Sequence, residues 1–226
     1  MISKISKSEG DYLKAIYQLT LEGETTSTVA LSAILNVKPP SVTSMLIKLA
    51  KLDPPLVDYQ KWQGVKLTET GKKLALQLTR RHRLIELFLV EVLKYSWEDV
   101  HAEAEELEHV ISNKFEEQLA TLLGNPQFDP HGDPIPDRDL NIPDTDTLRL
   151  SNLAVDQPAI IRRVKINQSD LLRYLSDQGI LPGVRIRIQY RNPFDDTIQL
   201  SIADKNTPFP LGAEISNLID VEKLTG

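Results

Sequence analysis

Residues 27–67 read STVALSAILNVKPPSVTSMLIKLAKLDPPLVDYQKWQGVKL, and this stretch decides the fold class of the N-terminal part. Val29, Leu31, Ile34 and Leu35 recur at helical spacing, so residues 27–35 are predicted to form a short helix. Asn36-Val37-Lys38 makes a tight turn. Pro39-Pro40 then opens a third helix, where proline is tolerated at the start. That helix buries Val42, Leu46, Leu49 and Leu52. Residues 56–59 and 64–67 are strand-like runs around the turn KWQG. A first helix precedes them at residues 8–21, with Tyr12, Leu13, Ile16, Tyr17 and Leu19 inward. Ser8 is its expected N-cap and Asp11 the acidic partner three residues on. Helix, helix–turn–helix and hairpin within about 65 residues is the plan of a winged helix-turn-helix.

On that plan the third helix enters the major groove of DNA. Lys38, Ser41, Thr43, Ser44 and Lys48 lie on its solvent side. Short hydroxyls permit close approach to base edges or phosphates, and lysines contact phosphates. The hairpin tip adds Lys61 and Trp62. Taken singly, Ser41 and Thr43 are equally well explained as helix caps. Charge supports a nucleic-acid role for this part only. Residues 1–75 carry 10 Lys and Arg against 7 Asp and Glu, whereas the whole chain of 226 residues has 26 against 32 and a net charge of −6.

Downstream, residues 68–95 are predicted to be one long helix, capped by Thr68 with Gly71 tolerated near its start. Its broad apolar face (Leu74, Leu78, Leu84, Ile85, Phe88, Leu89, Val92) exceeds what one small domain needs and points to dimerisation. His82 and Glu86 stand one turn apart on it. Residues 97–111, WEDVHAEAEELEHVI, are expected to form a single helix. At 100° per residue, His101, Glu105, Glu108 and His109 share a stripe roughly 100° wide, beside an apolar stripe of Val100, Ala104, Leu107 and Ile111. A lone histidine is more often a satisfied core residue than a ligand. Three histidines with four carboxylates at i/i+4 spacing favour a metal. The chain has no cysteine, so its donors are oxygen and nitrogen, suiting manganese, iron(II), cobalt or zinc. There is no HExxH motif and no nucleophile–base arrangement, so an enzyme is not expected.

A helix is expected at residues 113–123. The Pro-, Gly- and Asp-rich segment 124–143 is expected to be an ordered turn region leading to a linker, with His131 serving the turn. From 150 onward the pattern becomes β-branched and alternating. Strands are expected at 153–155, 159–166, 184–190, 197–202 and 213–218, with one helix at 169–178 ended by Gly179. This is the pattern of a small SH3-like barrel. The predicted domains are 1–73 (winged helix-turn-helix), 74–143 (helical dimerisation and metal binding) and 144–226 (SH3-like, FeoA-like). No apolar run approaches the roughly 18 residues of a membrane span. The N-terminus lacks a signal-peptide core, and the expected location is cytoplasmic.

The segments SEGDYLKAIYQL, PPSVTSMLIKL, GVKLTETGKKLA, RRHRLIE, VHAEAEELEHV and DPHGDPIP, in this order, resemble the diphtheria-toxin-repressor family of metal-dependent transcriptional regulators. ILPG resembles part of the SH3-like domain of its longer members. The resemblance implies a homodimeric repressor that binds a palindromic DNA operator when metal-loaded and controls metal-uptake genes, with no membrane and no small-molecule substrate as partner. It implies a primary metal site of Asp11, Glu105, Glu108 and His109, and an ancillary site of His82, Glu86 and His101, with Gln168 and Asp170 as candidates from the barrel. Iron-responsive members usually carry Met and Cys at the positions of Asp11 and Glu105. Hard carboxylates there favour Mn2+, then Fe2+, with Zn2+, Co2+ or Cd2+ able to substitute in vitro. Short manganese-responsive members have a further Glu ligand where this chain has Lys14, so separate sites are expected rather than a two-metal cluster. The competing readings are a metallo-hydrolase, which leaves the winged helix unexplained, and a metal-independent DNA-binding protein with a solvated acidic face.

Overall fold

The structure is a computed structural model that describes residues 5–21, 23–166, 168–202 and 208–224. Packing divides the chain into two units, one of Met1–His82, Leu107–Ser112 and Pro136–Asn141, the other of Arg83–Glu106, Asn113–Ile135 and Ile142–Gly226.

The first unit holds helices α1 (Lys7–Leu19), α2 (Thr28–Ile34) and α3 (Pro39–Ala50), strands β1 (Val57–Gln60) and β2 (Gly64–Leu67), and the start of α4 (Glu69–Glu91). Leu13, Ile16, Leu31, Val42, Leu46, Leu49, Val65 and Leu78 form its core. The cap of α1 differs from expectation. Ser6 and Glu9 form the capping box, the Glu9 carboxylate accepting from the Ser6 amide at 2.7 Å. The helix starts at Lys7, so Ser6 rather than Ser8 is the N-cap and Glu9 rather than Asp11 falls at the third helical position, which leaves Asp11 available for other contacts. In α2 only Leu31 is buried, Leu35 is half-buried, and Val29 and Ile34 are exposed. Seven residues give too few turns to bury a broad face. Asn36 takes a left-handed conformation, φ 51°, in the turn to α3. The hairpin pairs Val57 with Leu67 and Gln60 with Gly64.

The glycine at the start of α4 is required rather than tolerated. A Cβ on Gly71 would stand 1.9 Å from the Leu56 carbonyl oxygen, because Thr68 caps α4 while its amide donates to that same oxygen at 3.1 Å. At the other end, α4 stops at Glu91 rather than at residue 95. The Leu93 amide turns back to the Phe88 carbonyl, and Lys94 adopts φ 62°, a left-handed termination.

The second unit contains the rest of α4, α5 (Val100–Leu107), α6 (Asn113–Leu122), α7 (Ser169–Gln178) and α8 (Ala213–Ser216). Its β-strands are β3 (Leu148–Arg149), β4 (Pro158–Val164), β5 (Arg185–Arg191), β6 (Ile198–Ile202), β7 (Phe209–Leu211) and β8 (Ile219–Lys223). They form one antiparallel sheet in the order β3-β8-β4-β5-β6-β7. Along β5, Ile186 and Ile188 point inward and Arg185 and Arg187 outward, the period of two that marked this region in the sequence. Two expected strands are absent. Residues 153–155 follow a short 3-10 turn, Leu150–Asn152, and lie outside the described strands. Residues 213–216 are α8, closed by the Ser216 amide on Gly212, and the strand begins only at Ile219. Gly179, φ 78°, ends α7 as expected.

The helix expected over 97–111 is shorter. α5 ends at Leu107, and residues 108–110 form a turn. Leu84, Ile85 and Leu89 of α4 are buried within the chain itself. Exposed apolar side chains of the helical region include Val92, Leu93, Val110, Phe115 and Leu122. No described helix is long and apolar enough to cross a membrane.

Candidate metal centre and nucleic-acid interface

Within the first unit, α1 and the turn after α5 bring Asp11, Glu108 and His109 together. His109 Nε2 lies 3.1 Å from Asp11 Oδ1 and 3.1 Å from Glu108 Oε1. Glu108 is fully buried, 0 % exposed. Two more groups hold it. Lys14 Nζ donates to both carboxylate oxygens, at 2.7 and 2.8 Å, and His82 Nδ1 donates to Oε2 at 2.6 Å. Asp11 and Lys14 project from one side of α1, with Gly10 beside them. A Cβ on Gly10 would stand 3.0 Å from His109 Cε1 and 2.9 Å from Leu78 Cδ1, so glycine lets the imidazole approach the helix.

The electrostatics follow from burial. Desolvation alone would raise the Glu108 pKa, but the hydrogen bonds from His109 and His82 and the charge of Lys14 overcome it and hold the carboxyl well below the usual range. The Glu108 hydrogen bond raises the His109 pKa against an opposing desolvation effect. The donor set fits a hard or borderline divalent cation. It comprises two carboxylates and one imidazole, with the imidazole nitrogen 3.1 Å from an oxygen of each carboxylate. An octahedral ion with bonds of about 2.1 Å keeps neighbouring ligands about 3.0 Å apart. Glu105 stands one turn before Glu108, on the regular part of α5, with its carboxylate 3.8 Å from His101 Nε2.

Of the second predicted set, Glu86 and His101 meet in the second unit, His101 Nδ1 lying 3.2 Å from Glu86 Oε1. His82, one turn before Glu86 on α4, is engaged with Glu108. A further group was not anticipated from the sequence. Glu86, Asp129 and His131, all buried, place ligand atoms within 4.8 Å of one another. His131 Nε2 donates to the Trp97 carbonyl at 2.8 Å. In the neutral ring this leaves Nδ1 as the acceptor, the arrangement that orients a metal-binding histidine. Burial, then Asp133 and Glu86, push the Asp129 carboxyl well above its ordinary pKa. The signal in the sequence was DPHGD. Asp129 Oδ1 accepts the amides of His131 and Asp133 at 2.8 Å each. Gly132, φ 84°, packs where a Cβ would meet the Arg162 carbonyl. Gln168 is the N-cap of α7, and Asp170, in its first turn, is fully exposed with Arg173 Nη1 3.5 Å away. Asp170 falls in none of the ligand groups found among the described residues.

On α3, Lys38 is the N-cap, and Ser41, Ser44, Ile47 and Lys48 lie on the exposed side. Lys51, at the C-cap, continues this stripe and was legible from its spacing of seven residues from Ser44. The Thr43 hydroxyl donates to the Pro39 carbonyl at 3.2 Å, and Lys48 pairs with Glu9 at 3.1 Å. At the hairpin tip, Lys61 Nζ lies 5.3 Å from the ring centroid of Trp62, which is 92 % exposed.

Three family descriptions match the chain. "Iron dependent repressor, N-terminal DNA binding domain" covers residues 4–65, "Iron dependent repressor, metal binding and dimerisation domain" residues 68–137, and "FeoA domain" residues 148–223. The iron-dependent repressor IdeR of Mycobacterium tuberculosis is 31% identical over 225 residues, spanning 94% of this chain and 96% of that protein. The diphtheria toxin repressor of Corynebacterium diphtheriae is 30% identical over 223 residues, with the same coverages of 94% and 96%. Among solved structures, a manganese-dependent transcriptional repressor in complex with manganese is similar at TM-score 0.87 and 34% identity, covering 96% of this chain and 100% of that one. ScaR with bound Zn2+ is similar at TM-score 0.81 and 36% identity, covering 96% and 99%.

Proposed function

We propose that this chain, which belongs to the diphtheria-toxin-repressor family of metal-dependent DNA-binding transcriptional repressors, responds to manganese(II) and acts in the cytoplasm as a homodimer on a palindromic operator. Members of the family are repressors, not enzymes. The observation that carries the reading is the meeting of Asp11, on the first helix of the DNA-binding part, with Glu108 and His109 on the turn after α5.

Asp11, Glu105, Glu108 and His109 would hold the activating ion. A divalent cation, when bound, would supply the positive charge that offsets these carboxylates. Asp11 couples α1 to that pocket, and through α1 the recognition helix α3. Glu108 and His109 provide the buried, fixed half. All donors are oxygen or nitrogen, and the absence of any thiolate supports Mn2+ over softer ions. A second ion would take Glu86 with His101 and His82, or Glu86 with Asp129 and His131. The latter is favoured because His82 already bonds Glu108 while the His131 ring is oriented by Trp97. Gln168 and Asp170 are not in the proposed set. Iron(II) is the second reading, favoured by the names of the curated relatives.

Ser41 and Ser44 would reach base edges, with Lys38, Thr43, Lys48 and Lys61 serving the phosphate backbone. The dimer face would use Val92 and Leu93 after α4, with Phe115 and Leu122 of α6. The working division is 1–73, 74–143 and 144–226, and the expected output is repression of metal-uptake genes when the metal is plentiful. Linkage requires that operator DNA tighten metal binding by the factor with which metal tightens DNA binding. The test is operator binding by fluorescence anisotropy, with Mn(II), with anaerobic Fe(II) and with chelator, for wild type and Glu108→Ala. Metal-independent binding by both proteins would refute the reading.

A further inference from the structure

We infer that Glu9 is a positioning residue for operator recognition: it anchors the ammonium of Lys48, so that this lysine meets DNA as a fixed donor rather than a mobile charge. The inference rests on the proposal above that α3 enters the operator with Lys48 at the phosphate backbone. Its foundation lies within the first unit. Glu9 stands at the third position of α1 with 8% of its side chain exposed, and a buried carboxylate is costly unless it is hydrogen-bonded and paired. Oε2 accepts from the Ser6 amide at 2.7 Å and from the Ser6 hydroxyl at 3.0 Å, closing the capping box. Oε1 faces Lys48 Nζ at 3.1 Å. Burial alone would raise the Glu9 pKa, but the hydrogen bonds from Ser6 and the ammonium of Lys48 bring it below its ordinary value. Glu9 is therefore ionised at neutral pH.

Lys48 shares the exposed stripe of α3 with Ser41 and Ser44, at the spacing that keeps side chains on one helix face. An ammonium has three N–H donors, and 58% of this side chain is exposed, so a phosphate can approach while Glu9 stays bonded. Lys38 and Lys51, at the two ends of α3, have no side-chain partner among the described residues. Of these three lysines, Lys48 is the anchored one. Glu9 and Asp11 fall about 200° apart around α1, so the helix turns the anchor towards α3 and Asp11 towards His109. Anchoring separates the two modes of DNA binding. The operator presents its phosphates to α3 in one register, which a fixed ammonium suits. Sequence-independent binding samples many registers, and a mobile lysine serves it equally well. Ordering a long side chain on binding costs about 3–10-fold in affinity, and this is the preference for operator that the anchor supplies.

The experiment uses the full-length protein saturated with Mn(II), a duplex selected from a random pool by the wild-type protein, and a shuffled duplex of equal composition. Anisotropy titrations over a range of salt give affinities and salt slopes for wild type, Glu9→Gln, Lys48→Gln and the double variant. Glutamine also closes a capping box, so Glu9→Gln removes the charge of the anchor and keeps the helix start. It should lower the preference for the selected duplex over the shuffled one by about 3–10-fold. Lys48→Gln should lose the same preference, bind both duplexes more weakly and make the salt slope shallower by about 1. The double variant should show the preference of either single variant. Should Lys48→Gln not fold, because Glu9 loses its counter-ion, the double variant carries the comparison with Glu9→Gln. An unchanged preference in Glu9→Gln, or a loss that adds to that of Lys48→Gln in the double variant, would overturn the anchor while leaving Lys48 at the DNA. If Lys48→Gln and the double variant bind both duplexes with wild-type affinity and slope, the proposed contact of Lys48 fails and the inference with it.

Discussion

Gly10→Ala is expected to weaken metal binding while leaving the metal-free fold close to its original stability. The added Cβ would lie 2.9 Å from Leu78 Cδ1, 3.0 Å from His109 Cε1 and 3.5 Å from His109 Nδ1. Leu78 is fully buried in the core of the first unit, so it has little room to retreat. The His109 ring sits at the edge of its pocket, with 11% of the side chain exposed, and is the partner that gives way. Replacing Gly by Ala inside a helix gains about 1 kcal/mol, and overpacking costs about 1–3 kcal/mol. The net loss of metal-free stability is therefore about 0–2 kcal/mol. The effect on the site is larger in proportion. His109 Nε2 is balanced between Asp11 and Glu108 at 3.1 Å each, and a shift of the ring by about half an ångström removes that balance. Disturbing what orients a metal ligand typically costs about 10–100-fold in affinity. Urea unfolding in chelator and Mn(II) titration by calorimetry measure the two quantities separately. If the variant binds Mn(II) as tightly as wild type, the argument that Gly10 admits His109 to the site is wrong.

Gly71→Ala should destabilise the first unit by about 3 kcal/mol despite the better helix propensity of alanine, because the clash is with backbone and not with a movable side chain; urea midpoints at unchanged m-value decide this. Lys61→Ala should lower operator affinity similarly across sequences and reduce the salt slope by about 1, whereas Ser44→Ala should alter base preference; a salt titration over two operator variants separates them. The metal-free protein should also lose stability as pH rises. The raised pKa of His109 means its contribution is fully present below the unfolded value of about 6.5 and is lost as pH passes through the higher folded value. Mn(II) binding, which needs the neutral ring, should tighten over the same window. Melting temperatures between pH 5.5 and 8.5, with Glu108→Gln as the flattened control, test the sign.

The winged helix and the barrel were legible because their periodicities differ. Val42, Leu46 and Leu49 repeat at helical spacing, and Ile186 and Ile188 alternate with arginines. Where sequence reading went astray, short-range chemistry outweighed periodicity. Glu9 rather than Asp11 completes the cap because α1 is capped by Ser6, two residues before the expected Ser8, which puts Glu9 at the third helical position. α5 stops at Leu107 although its stripe continues to residue 111, since the continuation is a turn whose residues are held by tertiary partners. Residues 213–216 look like strand by their apolar spacing but close as a single helical turn. The Glu86–Asp129–His131 group was hidden because Asp129 and His131 sit in a turn far from Glu86 in sequence. Only the fold reveals that the turn's histidine is oriented by the Trp97 carbonyl.

The early end of α5 has an evolutionary consequence. Glu108 lies on the turn, buried without solvent contact and tied to groups from two helices, so a replacement there costs folding stability. Glu105 lies on the regular helix with 31% of its side chain exposed. On the proposed ligand assignment, selection for folding and selection for metal preference fall on different codons. A lineage moving into an environment with a different abundant metal could retune its sensor by a single exchange at position 105, while the buried turn passes unchanged from ancestor to descendant.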